Sequence, residues 1–426
     1  MSDLSAIAAI STPLGTGGVG IIRISGKNAT KIADRIFVSV NGKKLSASKG
    51  YRAYFGKIYD GESAIDEVVC LVFRAPHSYT GEDTVEINCH GGIVLMKKIL
   101  RLVLQNGAQA ATPGEFTKRA FLNGKLDLSE AESVMTLISA QGEQGTSAAF
   151  NQLEGTLSRK IDKINSSLLS LAAHIAAWVD YPDDEIEELG ENELYNTINN
   201  ANLELSALLN NFDSGMAITN GVEAAIVGKP NVGKSTLMNL LTGYDRSIVT
   251  EIEGTTRDVV EETINLNGCI LRISDTAGMR ETGDIVEKLG VERSKKKLER
   301  ASIVFAVFDL SKPLSDEDRE LIDECKGKNV IPIINKTDLE PCLDVEYIKN
   351  ALDTPLFISA KNGDGYNELC ERVANLMGTK NFDTTSAMLV NERQRLCCQK
   401  AVNALNDALE ALNIGLTPDA IGVCVD

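Results

Sequence analysis

Gly228-Lys229-Pro230-Asn231-Val232-Gly233-Lys234-Ser235 lies between an apolar run, Glu223 to Val227, and a helical stretch, Thr236 to Leu241. A strand that turns through glycines into a helix opening on Lys and Ser is the setting of a phosphate-binding loop. The glycines let backbone N–H groups close around phosphates, Lys234 reaches β- and γ-oxygens, and Ser235 offers its hydroxyl to Mg²⁺. Asn231, Val232, Gly233, Lys234, Ser235 and Thr236 are therefore expected to touch the nucleotide. Lys234 is also expected to act on the chemistry.

Four further motifs follow this loop. Asp275-Thr276-Ala277-Gly278 ends the apolar run Ile270 to Ser274, where Asp275 can hold Mg²⁺ through water and the Gly278 amide can approach a γ-phosphate. Between the two motifs, Gly254-Thr255-Thr256-Arg257-Asp258 supplies a hydroxyl able to complete Mg²⁺ coordination, with Thr256 favoured over Thr255. Asn335-Lys336-Thr337-Asp338 follows the run Val330 to Ile334 and places a carboxylate, Asp338, where it accepts two hydrogen bonds from a guanine edge. Adenine lacks that donor pair, so GTP is selected over ATP. Ser359-Ala360-Lys361 follows the last strand, Leu356 to Ser359, and supports the base. Apolar runs alternating with amphipathic stretches from about Gly221 to Gly378 predict a parallel sheet with crossover helices.

This segment resembles the translation-factor-related class of P-loop GTPases. Met279 stands after Asp275-Thr276-Ala277-Gly278, where small signalling GTPases place a glutamine that orients water. A thioether cannot orient water. Glu287 is the polar candidate for that task; the alternative is an exposed helical glutamate paired with Lys288 or Arg293. Arg257, Arg280 and the backbone of Ile248 to Gly254 could each supply groups near phosphate, or a monovalent cation could replace the missing positive charge.

On either side of this unit the texture is helical. Leu153, Leu157, Ile161, Ile164, Leu168 and Leu171 recur before it, and Leu389, Leu396, Val402, Leu405, Leu409 and Leu412 after it, as though one bundle were interrupted by an insertion. The acidic run from Asp180 to Glu193 around Pro182 reads as a solvated inter-helix turn. Up to about residue 120, short alternating stretches such as Gly20 to Ile24, Glu67 to Phe73 and Thr84 to Cys89, with a helical Val94 to Gln105, predict an α+β domain. Gly15-Thr16-Gly17-Gly18-Val19-Gly20 is not a dinucleotide fingerprint, because β-like Ile21-Ile22-Arg23-Ile24 follows where a helix should open. The expected segments are 1–120, a first helical part 121–218, an inserted G domain 219–380 and a second helical part 381–426.

Composition agrees with a multidomain folded chain: 426 residues, 43% hydrophobic, with 60 acidic against 43 basic side chains for a net charge of −17. Such acidity confines any RNA contact to a local basic surface. Nine scattered cysteines without a Cys-x-x-Cys pair read as reduced thiols, neither a disulfide framework nor a zinc ribbon. The longest apolar run, Leu168 to Val179, is shorter than the ~20 residues of a membrane span and is broken by His174. The start carries no basic region followed by an apolar core, so a cytoplasmic location is expected.

The whole chain resembles the bacterial tRNA-modification GTPases of the MnmE (TrmE) family. In the first domain the likeness rests on Gly17-Gly18-Val19-Gly20-Ile21-Ile22-Arg23-Ile24-Ser25-Gly26, Tyr79-Thr80-Gly81-Glu82-Asp83-Thr84-Val85-Glu86, His90-Gly91-Gly92, Pro113-Gly114-Glu115-Phe116-Thr117 and Ala120-Phe121-Leu122-Asn123-Gly124-Lys125-Leu126-Asp127. The resemblance implies that this domain dimerises and binds a one-carbon tetrahydrofolate (5-formyl or 5,10-methylene), with Arg23, Glu86 and Lys125 at the contact positions. It assigns K⁺ to Asn231, Thr250, Ile252 and Thr255, makes Glu287 the water-positioning residue, and implies a switch that needs no exchange factor. It further implies an FAD-dependent partner of the MnmG (GidA) type, together installing an aminomethyl or carboxymethylaminomethyl group at C5 of a tRNA wobble uridine.

One departure stands out. Family members end in Cys-x-Gly-Lys, whereas this chain stops at Gly422-Val423-Cys424-Val425-Asp426, so Cys424 is not carried over and a truncated end is expected, with GTP hydrolysis kept and tRNA modification impaired. The competing readings are a ribosome-assembly GTPase switch without one-carbon chemistry, and a dimerisation subunit with a degraded G domain. The first shares every nucleotide motif but not the N-terminal pattern; intact Lys234, Ser235, Asp275 and Asp338 oppose the second.

Overall fold

The computed structural model describes residues 5–180, 190–244, 261–274, 298 and 301–416. They form two units, the first reaching Ala131 and the second beginning at Glu132.

The first unit is built on β1 (Ile7–Ile10), β2 (Gly17–Ser25), α1 (Ala29–Ala33), β3 (Phe37–Ser39), β4 (Arg52–Asp60), β5 (Ser63–Phe73), β6 (Thr84–Gly91), α2 (Ile93–Gln105), β7 (Gln109–Ala110) and α3 (Glu115–Leu122). Its sheet runs β3-β4-β5-β6-β2-β1-β7, antiparallel except where β7 pairs with β1. The period of two along a strand sorts the side chains. Ile22 and Ile24 of β2, Val85 and Ile87 of β6, and Val68, Cys70 and Val72 of β5 are buried in one core with Met96, Ile99, Leu102 and Val103 of α2. Each such aliphatic side chain contributes about 1.5–3 kcal/mol on burial. The alternate position of β2 is Arg23, and the register sets it directly opposite Glu86 of β6. The core stripe thus dictates which polar residues share the other face.

The second unit begins with helices α4 (Leu128–Ser139, from Glu132 onward), α5 (Glu143–Leu153), α6 (Thr156–Asp180), α7 (Glu191–Asn210) and α8 (Phe212–Thr219). Ile164, Leu171 and Ile175 of α6, and Ile198, Leu205 and Leu208 of α7, bury into the same core as Val402, Leu405 and Ala408 of the later helix Glu392–Asn413. Arg393 Nε and Nη2 grip Glu132 Oε1 and Oε2 at 2.6 and 2.8 Å, and Gln394 adds a third bond to Glu132 at 2.7 Å. Chain on both sides of the second sheet therefore closes one bundle. Leu396, expected on the apolar stripe, is 54% exposed. At 100° per residue it stands about 200° from Cys398, which is on the buried face.

Between those helices lie β8 (Val222–Val227), α9 (Lys234–Tyr244), β9 (Glu261–Leu266), β10 (Cys269–Ser274), β11 (Ile303–Asp309), β12 (Val330–Asn335) and β13 (Leu356–Ile358). The sheet order is β13-β12-β11-β8-β10-β9. It is parallel as expected except at the β9–β10 hairpin, where Asn267 and Gly268, with φ of 49° and 86°, make the two-residue turn that left-handed Asn-Gly favours. β11 is buried along its whole length, as a central parallel strand covered on both faces must be. The protein is thus a multidomain α+β and α/β chain. Among the described residues, no helix is long and apolar enough to cross a membrane.

Candidate active site

In the parallel sheet, β8 has β11 on one side and β10 on the other, so the strand order reverses direction there. Open α/β sheets bind ligands beyond the strand ends at such a point. The loop leaving β8 crosses it before α9 opens at Lys234. Three residues of the loop have left-handed backbone: Gly228 (φ 152°), Asn231 (φ 64°) and Gly233 (φ 100°). At Gly233 a Cβ would lie 2.2 Å from Asn335 Nδ2, so only glycine lets the loop pass this close.

Asn335 closes β12 and ties two loops together. Its Nδ2 donates to Val232 O at 2.9 Å, and its Oδ1 accepts from the Ala360 amide at 3.0 Å. Asp338 is exposed, with Oδ1 accepting from the buried Ser359 hydroxyl at 3.0 Å. The loop after β8, the Asp338 carboxylate and the loop after β13 are thereby held in one place. Lys361 is exposed beside Ala360.

Lys234 Nζ donates to Gly228 O at 2.8 Å and Lys229 O at 2.6 Å, and burial lowers its proton affinity. Ser235 and Thr236 are exposed in the first turn of α9. Lys336 has a left-handed backbone (φ 66°) and spans two acceptors, Asn231 O at 2.8 Å and Asp309 Oδ2 at 2.7 Å. Lys229 reaches the opposite way, to Asp318 Oδ2 at 2.6 Å and Ser315 Oγ at 2.7 Å. Ser315 and Asp318 form the capping box of the helix Asp316–Cys325.

Of the expected nucleotide residues, Asn231, Val232, Gly233, Lys234, Asn335, Lys336, Asp338, Ser359 and Ala360 come together through these bonds. Thr250, Ile252, Thr255, Thr256, Asp275, Gly278 and Glu287, with Arg257, Met279 and Arg280, lie outside the described residues, as does Cys424. Asp309, Ser315 and Asp318 were not singled out from sequence. The capping box had a legible signal, Ser-x-x-Asp ahead of a helix; Asp309 had none beyond ending an apolar run.

A second polar cluster occupies the first unit. Arg23 Nε and Nη2 each meet Glu86 Oε1 at 2.8 Å, and the guanidinium carbon lies 5.5 Å from the ring centres of both Tyr79 and Phe116. Tyr79 OH is 2.8 Å from Thr117 Oγ1, which links the two aromatic walls. Lys125 is exposed, and its stem runs alongside Gly81, where a Cβ would approach Lys125 Cγ to 3.2 Å. A carboxylate beside a cation, walled by aromatic faces, suits a flat heterocycle with an N–H edge and an anionic tail.

Close in sequence to Tyr79 and Phe116, Glu82 and Glu115 are both held by Arg119. Its Nη1 lies 3.3 Å from both Glu82 oxygens and 3.1 Å from Ser5 O, while Nη2 donates to Glu115 at 3.0 Å. Glu82 also accepts from Ser25 Oγ at 2.9 Å, and Ser25 meets Thr80 Oγ1 at 2.7 Å. The Arg119 side chain is only 4% exposed, so removing it strands a carboxylate that is itself 16% exposed. Arg119→Ala is expected to cost about 3–5 kcal/mol in urea unfolding. Breaking the exposed Lys57–Glu67 pair should cost under about 1 kcal/mol.

The family model described as "GTP-binding protein TrmE N-terminus" matches residues 6–125, and "MnmE helical domain" matches residues 128–426. Among similar curated proteins, "tRNA modification GTPase MnmE" of Clostridioides difficile (strain 630) is 42% identical over 422 residues, covering 98% of this chain and 92% of that one. The protein of the same description from Bacillus subtilis (strain 168) is 41% identical over 426 residues, covering 99% and 93%. Among solved structures, Era in complex with MgGDPNP and a 16S ribosomal RNA segment is 28% identical, covering 43% of this chain and 66% of that one with a TM-score of 0.29.

Proposed function

The chain belongs to the tRNA-modification GTPase MnmE family and hydrolyses GTP; from that premise we propose a K⁺-dependent reaction coupled to an FAD-dependent partner at C5 of a tRNA wobble uridine. The observation that supports the nucleotide assignment is the pair of hydrogen bonds of Asn335, to Val232 O and from the Ala360 amide, next to the Ser359 hydroxyl that donates to Asp338.

In this reading Lys234 leaves the carbonyls of Gly228 and Lys229 to meet β- and γ-phosphate oxygens, an exchange of dipole partners for charged ones. Asp338 accepts from the two N–H groups on the guanine edge, and Ser359 holds its other flank. Ser235, Thr256 and Asp275 are the residues that would hold Mg²⁺, which when bound neutralises phosphate charge. Ser235 is an exposed residue in the first turn of α9, and a hydroxyl fits that donor set. Asn231, Thr250, Ile252 and Thr255 would hold K⁺. Glu287 orients the attacking water, since Met279 has no group to do so.

Two measurements test this. Glu287→Gln is expected to lower kcat by about 10²–10³-fold while leaving GTP affinity within a few-fold. Single-turnover rates in KCl against NaCl should differ by more than about tenfold; equal rates would remove K⁺ from the scheme.

For the N-terminal cluster the proposed ligand is a one-carbon tetrahydrofolate, with Glu86 taking the pterin N–H edge and Arg23 and Lys125 the anionic groups. The Arg23–Glu86 pair walled by Tyr79 and Phe116 has the donor set for it. Arg23→Ala in the full chain is expected to weaken 5-formyltetrahydrofolate at least about tenfold by equilibrium titration. The domain is also proposed to dimerise. The ribosome-assembly alternative lacks any account of the N-terminal match over residues 6–125.

A further inference from the structure

Two residues of the nucleotide site carry left-handed backbone without being glycine, Asn231 at φ 64° and Lys336 at φ 66°. Each costs about 1–2 kcal/mol relative to ordinary backbone and persists only where its surroundings over-determine it. The two residues are bonded to each other: Lys336 Nζ donates to Asn231 O at 2.8 Å across 105 residues of chain. That bond alone would leave the ammonium aimed by a single carbonyl. The second partner is Asp309, at the C-terminal end of the buried strand β11, whose Oδ2 stands 2.7 Å from the same Nζ.

Asp309 is itself held. The Ser311 hydroxyl donates to its Oδ1 at 2.7 Å and the Ser311 amide at 3.0 Å, and its side chain is only 2% exposed. Burial opposes its ionisation, but the bonds from Lys336 and Ser311 outweigh that and keep the carboxyl below the usual carboxylate range. A buried carboxylate with this many donors is a fixed anchor.

We propose that Asp309 is a positioning residue for nucleotide binding, acting through Lys336 to lock the backbone of Asn231 in the conformation that receives phosphates. Asp309 touches no nucleotide in this scheme. It rigidifies the empty loop, so the ordering cost falls before the ligand arrives. The inference goes beyond the assignment of GTP hydrolysis and does not depend on K⁺ or folate.

The test uses Asp309→Asn, Lys336→Met and the double variant in the full chain. The asparagine keeps an acceptor for Ser311 and nearly the same shape, and removes the charge. Fluorescent GTP and GDP titrations should show about 10–100-fold weaker binding of both, the loss of one charge-assisted bond. For Asp309→Asn the turnover number at saturating GTP should stay within about threefold, because Asp309 does not touch the reacting phosphate. If Asp309 acts through Lys336, the double variant binds no worse than Lys336→Met alone. Additive losses, unchanged affinity, or a fall in kcat at unchanged affinity would each overturn the proposal. Should Asp309→Asn fail to fold, Ser311→Ala removes the hydroxyl that steers the carboxylate while sparing its charge. It is then expected to weaken both nucleotides about threefold, and no shift would sink the inference.

Discussion

Lys234→Met is expected to lower kcat/KM for GTP by about 10³-fold, with the fold intact. The reasoning starts from where the ammonium rests. It sits on two backbone carbonyls of its own loop, Gly228 O and Lys229 O, and is partly withdrawn from water. Desolvation disfavours the charged form, which is why its proton affinity is lowered. A polyphosphate reverses that balance, because the anion stabilises the ammonium in the same desolvated place. The interaction strengthens further as charge develops on the transferring phosphoryl group, and removing one such donor costs about 10²–10³-fold in turnover before any loss of affinity is counted. Methionine keeps the aliphatic stem and its packing, so thermal unfolding should be nearly unchanged. A variant retaining a tenth of wild-type kcat/KM would show that the charge comes from elsewhere in the site.

The site was legible wherever its chemistry is written in contiguous residues. The glycine-bounded turn from β8 into α9 reads directly, as does the Asn-Lys-x-Asp run after β12, because a strand end fixes the direction in which the next few residues project. What sequence hid were the partners that meet across the fold. Asp309 finds Lys336 at a separation of 27 residues, and Arg119 finds Glu82 at 37. Neither pairing leaves a periodic trace, since each depends on which loops the sheet order brings side by side. Strand β9 was missed for a different reason. Its segment, Glu261 to Leu266, is not among the apolar runs named from sequence because only Ile264 and Leu266 are strongly apolar, although the Asn267-Gly268 pair after it carries a strong hairpin signal. The helical flanks keep a heptad-like spacing on both sides of the second sheet, and Leu157, Ile164 and Leu171 before it share one buried core with Leu405 after it. Leu396 shows the limit of that reading, since an apolar residue near the stripe need not lie on it.

The second large effect concerns base choice. Asp338→Asn is expected to weaken GTP binding about 10³-fold and to make xanthosine triphosphate the preferred ligand. A guanine edge presents two N–H donors to the carboxylate, and both of its oxygens accept. An asparagine offers one oxygen and one NH₂, so one guanine donor faces another donor. Losing two charge-assisted bonds and opposing like groups gives the stated magnitude at about 1.5–3 kcal/mol per bond. Xanthine carries a carbonyl where guanine carries its amino group, so its N–H and C=O match the O and NH₂ of the amide. Which way the amide turns is set by Ser359, whose buried hydroxyl is 3.0 Å from Asp338 Oδ1. That hydroxyl donates most simply to the amide oxygen, which would leave Nδ2 for the xanthine carbonyl. In the double variant Asp338→Asn with Ser359→Ala the orienting bond is gone, and the preference for xanthine over guanine should shrink to a few-fold. Competition titrations with guanosine and xanthosine triphosphates read both changes. If the single variant still favours guanosine triphosphate by a hundredfold, Asp338 is not the group that reads the base.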